Sequence, residues 1–340
     1  MSEMRKNNPW NFKELILDEI KKNGGWINAH VHADRAFTIH PQKLADYKKY
    51  SLEQKWDLVD DVKKNASVDE YYRRISQALE LMISQGVTAV CSNIDIDPIA
   101  EDRAIKGAIK AREVYKDKIT IIYSNQVIKG VIEKQARYWF DRGAELVDII
   151  GGLPERDKRD YDKYEEHLDI IFQTAKKLKK RLHIHADQFN RIEDKGTEMI
   201  CNKTEEYGLQ GRVSIIHALS IAAHNKAYRE KVYKKLRNTD ISVIACPTAW
   251  IDSKRKEELQ PFHNSVTPID EMIPAGITVA LGTDNIADFM VPFCDADLWY
   301  DLKLLAIANR YVTEIDELVK IATVNGRKVL GLKPDDPGSS

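Results

Sequence analysis

Eight short runs rich in β-branched residues recur along the chain, each followed by a loop and an amphipathic helical stretch. This alternation is the strongest constraint on the fold. The runs cover residues 26–32, 87–93, 119–124, 146–150, 181–185, 213–217, 241–245 and 277–282. Between and after them, apolar residues at helical spacing mark 69–85, 102–115, 132–142, 161–179, 197–207, 221–236, 268–275, 297–310 and 314–330. Strands that alternate with helices, without hairpin turns, pair in parallel. A count of eight fits a (β/α)8 barrel, and an open doubly wound sheet is the rival. A chain of 340 residues with 43% hydrophobic content can bury one core of that size, so a single domain over residues 1–340 is expected. Residues 11–22 form a leading helix that ends at Gly24-Gly25, which makes 1–23 an N-terminal decoration and 333–340 a tail. Residues 38–64 form a long insertion after the first strand, readable either as part of a lid or as ordinary packing.

Barrel enzymes place their chemistry at the C-terminal ends of the strands, and the histidines concentrate there. The first strand ends in His30-Val31-His32, the fifth in His183-Ile184-His185, the sixth in His217, and the eighth leads into Gly282-Thr283-Asp284. Residues i and i+2 of a strand share a face, so His30 and His32 both point into the mouth. With His185 and the Asp284 carboxylate they make a three-histidine, one-aspartate shell for one divalent cation, Zn2+ or Fe2+ rather than Mg2+ or Ca2+. A single His-x-His pair is weak evidence; the coincidence of strands one, five, six and eight carries the reading. His183 is expected to face a neighbour or support a ligand.

These stretches resemble the cytosine deaminase branch of the amidohydrolase superfamily. The resemblance runs from about Ile27 to Leu332 through INAHVHAD at 27–34, Asn125-Gln126, GAELVDIIGGLP at 143–154, HADQ at 185–188, His217 to Asn225, GTDN at 282–285 and ATVNGR at 322–327. It implies metal ligation by His30, His32, His185 and Asp284, with Asp284 also taking a proton from metal-activated water. His217 would touch that water or the substrate's oxyanion, and Gln126 would bond the substrate ring. Asn285, Asp288 and Trp250 complete the expected substrate-binding set, Asp288 by its match to a family acid and Trp250 as a ring to stack on a flat heterocycle. No lysine ends strand four, so one metal is expected rather than two. Many relatives carry a small β-sandwich built from both chain ends; here the barrel is expected without it.

One position departs from that family. Cytosine deaminases carry a glutamate three residues after the strand-five histidine, and this chain has Gln188, an amide that cannot exchange a proton at neutral pH. Asp187 is a candidate substitute. Alternatively, Asp284 and His217 handle every proton transfer, which suffices to open a cyclic amide, imide or amidine in the manner of imidazolonepropionases. A metabolite-binding barrel without turnover is the third alternative. The leading expectation is deamination of a small nitrogen heterocycle.

Other features narrow the function class. The net charge of −1 offers no field for nucleic acid or anionic membrane, and no apolar run reaches the length of a membrane helix. Cys91, Cys201, Cys246 and Cys294 form no paired motif, and the N-terminus is polar, so a reducing, cytoplasmic setting is expected. Association into a homo-oligomer is left open. Asp34 is read as orienting a ligand or packing on Arg35. Asn93, Asp95 and Asp97 line the pocket or cap a loop. His40 and His263 are read as surface residues, and His224 as a helix cap.

Overall fold

The computed structural model describes residues 10–44, 49–251, 266–312 and 315–333. His263 and the tail from residue 334 lie outside them. Eight parallel strands run in sequence order: β1 (Trp26–Val31), β2 (Val87–Asp95), β3 (Thr120–Gln126), β4 (Ile149–Gly152), β5 (Arg181–Ala186), β6 (Val213–His217), β7 (Ser242–Ala245) and β8 (Val279–Leu281). The cylinder closes just past β8, where His32 N donates to Asp284 O at 2.7 Å and Thr283 N and Asp284 N donate to His30 O. Gly282 sits at this seam because a Cβ there would lie 2.8 Å from His30 Cβ. This is a (β/α)8 barrel, so the open-sheet rival is excluded.

Two cores follow from the strand alternation. Ile27, Ala29, Ala89, Cys91, Ile149, Ile216, Ile244, Cys246 and Ala280 fill the barrel, capped from below by Val329 and Leu330. A larger outer layer seals the strands to the helices. The helices are α1 (Phe12–Lys22), α2 (Leu52–Lys64), α3 (Val68–Ser84), α4 (Arg103–Tyr115), α5 (Lys134–Leu146), α6 (Pro154–Tyr161), α7 (Tyr164–Leu178), α8 (Gly196–Tyr207), α9 (Lys226–Asn238), α10 (Pro247–Ile251), α11 (Ile269–Met272), α12 (Leu298–Ala308), α13 (Ile315–Ala322) and α14 (Val324–Leu330). Full capping boxes start α2 (Ser51 with Gln54) and α3 (Ser67 with Glu70).

The boundaries differ from the sequence expectation in particular places. The helix expected over 161–179 is α7, which starts three residues late at Tyr164, and the residues before it form a separate short helix, α6, that ends where Asp162 takes a left-handed conformation (φ 57°). The helix expected over 314–330 breaks at Thr323 (φ −130°, ψ −95°). Leu146 closes α5 rather than opening β4. His224 does not cap α9, which Asn225 does; it closes the 3-10 turn Ser220–Ala223 through its backbone N–H to Ile221 O, and its Nε2 bonds Asp194 O at 2.8 Å. His40 is exposed.

The insertion after β1 resolves into α2, which is tied across the barrel mouth. Lys55 Nζ donates to Met290 O after β8 at 2.9 Å. Lys63 bonds Asp97 after β2. Asp60 pairs with Lys129 after β3, and Asp57 pairs with Arg156 and Arg159 of α6 after β4. One helix thus bridges the loops of four strands. Among the described residues, no helix is long and apolar enough to cross a membrane, and all four cysteines are free and buried.

Candidate active site and metal centre

The site begins with an irregularity in β1. Asn28 pairs with Val90 and Val31 with Ser92, so β1 has one residue more than β2 across this interval. Such a bulge reverses the facing of the residues after it. Ile27 and Ala29 belong to the inner core, while Asn28 points outward to Met82 of α3. Beyond the bulge, His30 and His32 turn inward. The Asn28 side chain holds the distortion: its Oδ1 accepts from His30 N (3.4 Å) and Thr283 N (3.2 Å), and its Nδ2 donates to Thr283 Oγ1 (2.9 Å).

The ligand atoms of His30, His32 and His185 lie within 4.8 Å of one another, and all three side chains are buried. Asp284 Oδ1 is 3.4 Å from His30 Nε2 and 3.2 Å from His32 Nε2. Burial alone would raise the Asp284 pKa, but hydrogen bonds from His30 and His32 prevail and hold it well below the usual carboxylate range. Burial, then the charge of Arg35, lowers His32; burial, then neighbouring imidazoles, lowers His185.

A divalent cation fits this cluster on chemical grounds. His185 Nδ1 lies 3.3 Å from Gly152 O, and a carbonyl only accepts, so the ring's proton sits on Nδ1. Its Nε2 lone pair then faces His30 Nε2 at 3.2 Å. Three imidazoles and a carboxylate brought this close together are a donor set that suits a divalent cation. His30, His32, His185 and Asp284 would hold it, with Gly152 O orienting His185 from behind.

His217 stands on the far side of Asp284, with Nε2 3.7 Å from Oδ2. Its Nδ1 accepts from Trp250 Nε1 at 2.7 Å. Indole N–H is a donor only, so the neutral ring must carry its proton on Nε2. Burial lowers the His217 pKa to about 3, against the pull of Asp284. His217 is therefore a neutral donor, and an imidazolium does not suit this pocket. Trp250 meets it edge to face (4.9 Å, 67°), so the indole is bonded to His217 as well as placed near the pocket. His217, Asp284 and Asp187 all have left-handed backbones (φ 80°, 63° and 53°), a strain of about 1–2 kcal/mol each that such sites retain.

The remaining expected residues divide. Gln126 is inward at the end of β3, and its Oε1 accepts from Asn93 Nδ2 at 3.1 Å. Neighbouring Asn125 stitches β3 to β4 through Gly151 N (2.9 Å). Gln188 is 4% exposed, and its Nε2 has no hydrogen-bond partner. Asp187 does not join the cluster: its two oxygens accept from Gly196 N and Thr197 N at the start of α8 (both 2.8 Å). Asp288 accepts from Met290 N, Val291 N and Asn285 Nδ2, so Asn285 and Asp288 bond each other and the post-β8 loop. Asp97 caps its loop through Ile99 N and Ala100 N. Asp34 accepts from Asp95 N (2.8 Å), and burial, then Asp95, raises its pKa to about 7.

Sequence reasoning missed three contributors: the Asn28 side chain, the Gly152 carbonyl and Glu155. Glu155 Oε1 accepts from Asp187 N at 2.8 Å, and burial, then Asp187, raises its pKa to about 8. Backbone bonds carry no sequence signal, and Glu155 lies 30 residues before the motif it supports.

A sequence model of the amidohydrolase family matches residues 43–333. The chain belongs to that family. This amidohydrolase is a metal-dependent hydrolase of carbon–nitrogen bonds other than peptide bonds. It is 59% identical over 263 residues to an uncharacterised Haemophilus influenzae protein, covering 77% of this chain and 95% of that one. N-isopropylammelide isopropyl amidohydrolase of Pseudomonas sp. strain ADP is 23% identical over 332 residues, 94% of this chain and 78% of its own. The fold superposes on 5-methylcytosine deaminase from Klebsiella pneumoniae liganded with 5-fluorocytosine, with a TM-score of 0.84 and 18% identity over 90% of this chain and 74% of that one.

Proposed function

We propose that this amidohydrolase releases an amine from a small nitrogen heterocycle by attack of water on a ring carbon. The observation that carries the reading is the convergence of three imidazoles on Asp284, with the neutral His217 donor on its other side. Two similarities support it: one relative is an amidohydrolase of N-isopropylammelide, and a structural neighbour is a 5-methylcytosine deaminase. The cluster would hold one Zn2+ or Fe2+, which supplies Lewis acidity and lowers the pKa of water toward neutrality.

The chain's own groups do the rest. Asp284, held ionised, accepts a proton from the attacking water through Oδ2. His217 Nε2–H donates to the negative charge that develops on the oxygen. Trp250 keeps that proton in place. Gln126, oriented by Asn93, bonds the ring edge. Asp284 then returns its proton to the leaving nitrogen, so water's elements divide between the ring carbon and the amine.

A second reading is hydrolytic opening of a cyclic amide, imide or amidine. Gln188 holds no transferable proton, and both Asp187 oxygens are committed to α8. Asp284 and His217 are then left to move protons at the cluster, and ring opening needs no more. A heterocycle panel separates the readings. Ammonia or amine release is expected; new carboxylate without amine favours ring opening, and neither product sinks both. Gln188→Glu is expected to raise ammonia release from aminated pyrimidines, and no gain would show that the pocket sets the reaction.

A further inference from the structure

His167 is fully buried on α7, away from the imidazoles of the mouth. Its Nε2 accepts from Leu153 N at 3.1 Å, and its Nδ1 lies 2.6 Å from Asp157 Oδ2. A backbone N–H only donates, so Nε2 carries no proton, and the neutral ring donates to Asp157 through Nδ1–H. Asp157, also fully buried, stands on α6, and its Oδ2 accepts from Val131 N at 2.7 Å as well. Gly130 leaves room for this carboxylate, since a Cβ there would overlap Asp157 Oδ1.

Leu153 lies just past the last paired residue of β4, so its N–H needs an acceptor from outside the sheet. That N–H belongs to the same peptide unit as Gly152 C=O, which accepts from His185 Nδ1. In a planar trans peptide the two groups point in opposite directions, so one peptide stands between two imidazoles. The donors all run one way. His185 Nδ1–H donates to Gly152 O, Leu153 N–H to His167 Nε2, and His167 Nδ1–H to Asp157 Oδ2. Donation by an amide N–H increases the negative charge on its own carbonyl oxygen, so each bond strengthens the one before it. A stronger acceptor behind Nδ1 makes Nε2 of His185 a better electron-pair donor. A lone acceptor for Leu153 N–H would need no buried carboxylate behind it, and burying that charge is costly.

We propose that Asp157 and His167 are positioning residues for His185, acting through the Gly152–Leu153 peptide to fix its tautomer and raise its affinity for a divalent cation. Neither side chain touches the ion or a substrate. This rests on the reading of His185 as a metal ligand and deepens it.

Zinc affinity by chelator competition tests this, together with the visible bands of cobalt-loaded protein and the melting of metal-free protein. His167→Leu leaves Leu153 N–H unpaired and is expected to weaken zinc binding by about tenfold, the lower end of the range for partners behind a metal ligand. His167→Gln keeps an acceptor where Nε2 stood and should recover part of that loss. Asp157→Asn keeps the size and one acceptor oxygen while removing the charge, and should weaken zinc about threefold through the cooperative part of the chain. In His167→Leu and Asp157→Asn the cobalt bands should move to lower energy, because a weaker donor splits the d orbitals less. If His167→Leu does not fold, Asp157→Asn and His167→Gln decide the matter. Lowered melting temperatures with unchanged zinc affinity and unchanged cobalt bands would make the pair a packing device and overturn the proposal alone. Wild type that binds no divalent metal overturns both the proposal and the ligand set.

Discussion

The same three-residue pattern, His-x-His, ends two strands of this barrel and has two different fates. On β1, the bulge after Asn28 turns His30 and His32 inward, where Asp284 Oδ1 reaches both. On β5, the register with β4 and β6 is regular from end to end. His185 reaches the cluster, and His183 faces the same way one layer lower. There its Nε2 bonds Val329 O at 3.1 Å, and its Nδ1 lies 4.0 Å from Cys91 Sγ. Burial lowers its pKa to about 3, so it sits as a neutral ring in the barrel floor. His183 lies about 7 Å deeper along the axis than His185, where Val329 O and Cys91 Sγ already face both of its ring nitrogens. A motif therefore supplies residue types, and the facing and partners that each ring finds decide whether both are ligands.

The largest test of this contrast replaces each β5 histidine in turn. His185→Ala is expected to remove bound divalent metal and lower activity by more than about 10²-fold, beyond the cost of losing an outer partner. His183→Asn should keep stoichiometric metal while losing about 1–3 kcal/mol of stability. Metal analysis with denaturant melts reads both, and metal loss in the His183 variant would break the distinction.

The next effect concerns the bulge. Asn28→Ala removes three hydrogen bonds that shape it, although Asn28 touches no ion. Metal affinity should fall about 10–100-fold, measured by competition with a chelator. Unchanged affinity would mean that β1 keeps its distortion without the side chain.

The smallest effect lies behind β5. Glu155 keeps its proton in the folded protein until about pH 8, whereas an ordinary glutamate loses it near 4.5. The unfolded chain therefore binds fewer protons between those values, and stability falls as pH rises through that window, by at most about 1.4 kcal/mol per unit. Glu155→Gln mimics the protonated group, so its melting temperature should decline less than wild type from about pH 5 to about pH 8.5. Parallel curves would place the titration elsewhere.

Much of the architecture was legible in the chain. All eight strands were located within a few residues, because β-branched runs and helical periodicity are local properties. The break at Thr323 was not, because α13 and α14 read as one apolar stripe until a backbone angle interrupts it, and α6 was not, because its charged stretch carries no apolar stripe. At the mouth, residue types and strand ends pointed to His30, His32, His185 and Asp284. The fate of Asp187 was hidden, since its partners are backbone N–H groups of Gly196 and Thr197.

The sequence by itself determined the alternation of strands and helices, the placement of imidazoles at their ends and the absence of an acid at position 188. Those facts depend on neighbours in the chain. Tertiary structure alone decided which histidines meet and which proton His217 carries. Each depends on a partner far away in sequence: Thr283 for the bulge and Trp250 for the tautomer. Hydrogen bonds and packing between distant segments exist only once the barrel has closed, so no local pattern encodes them.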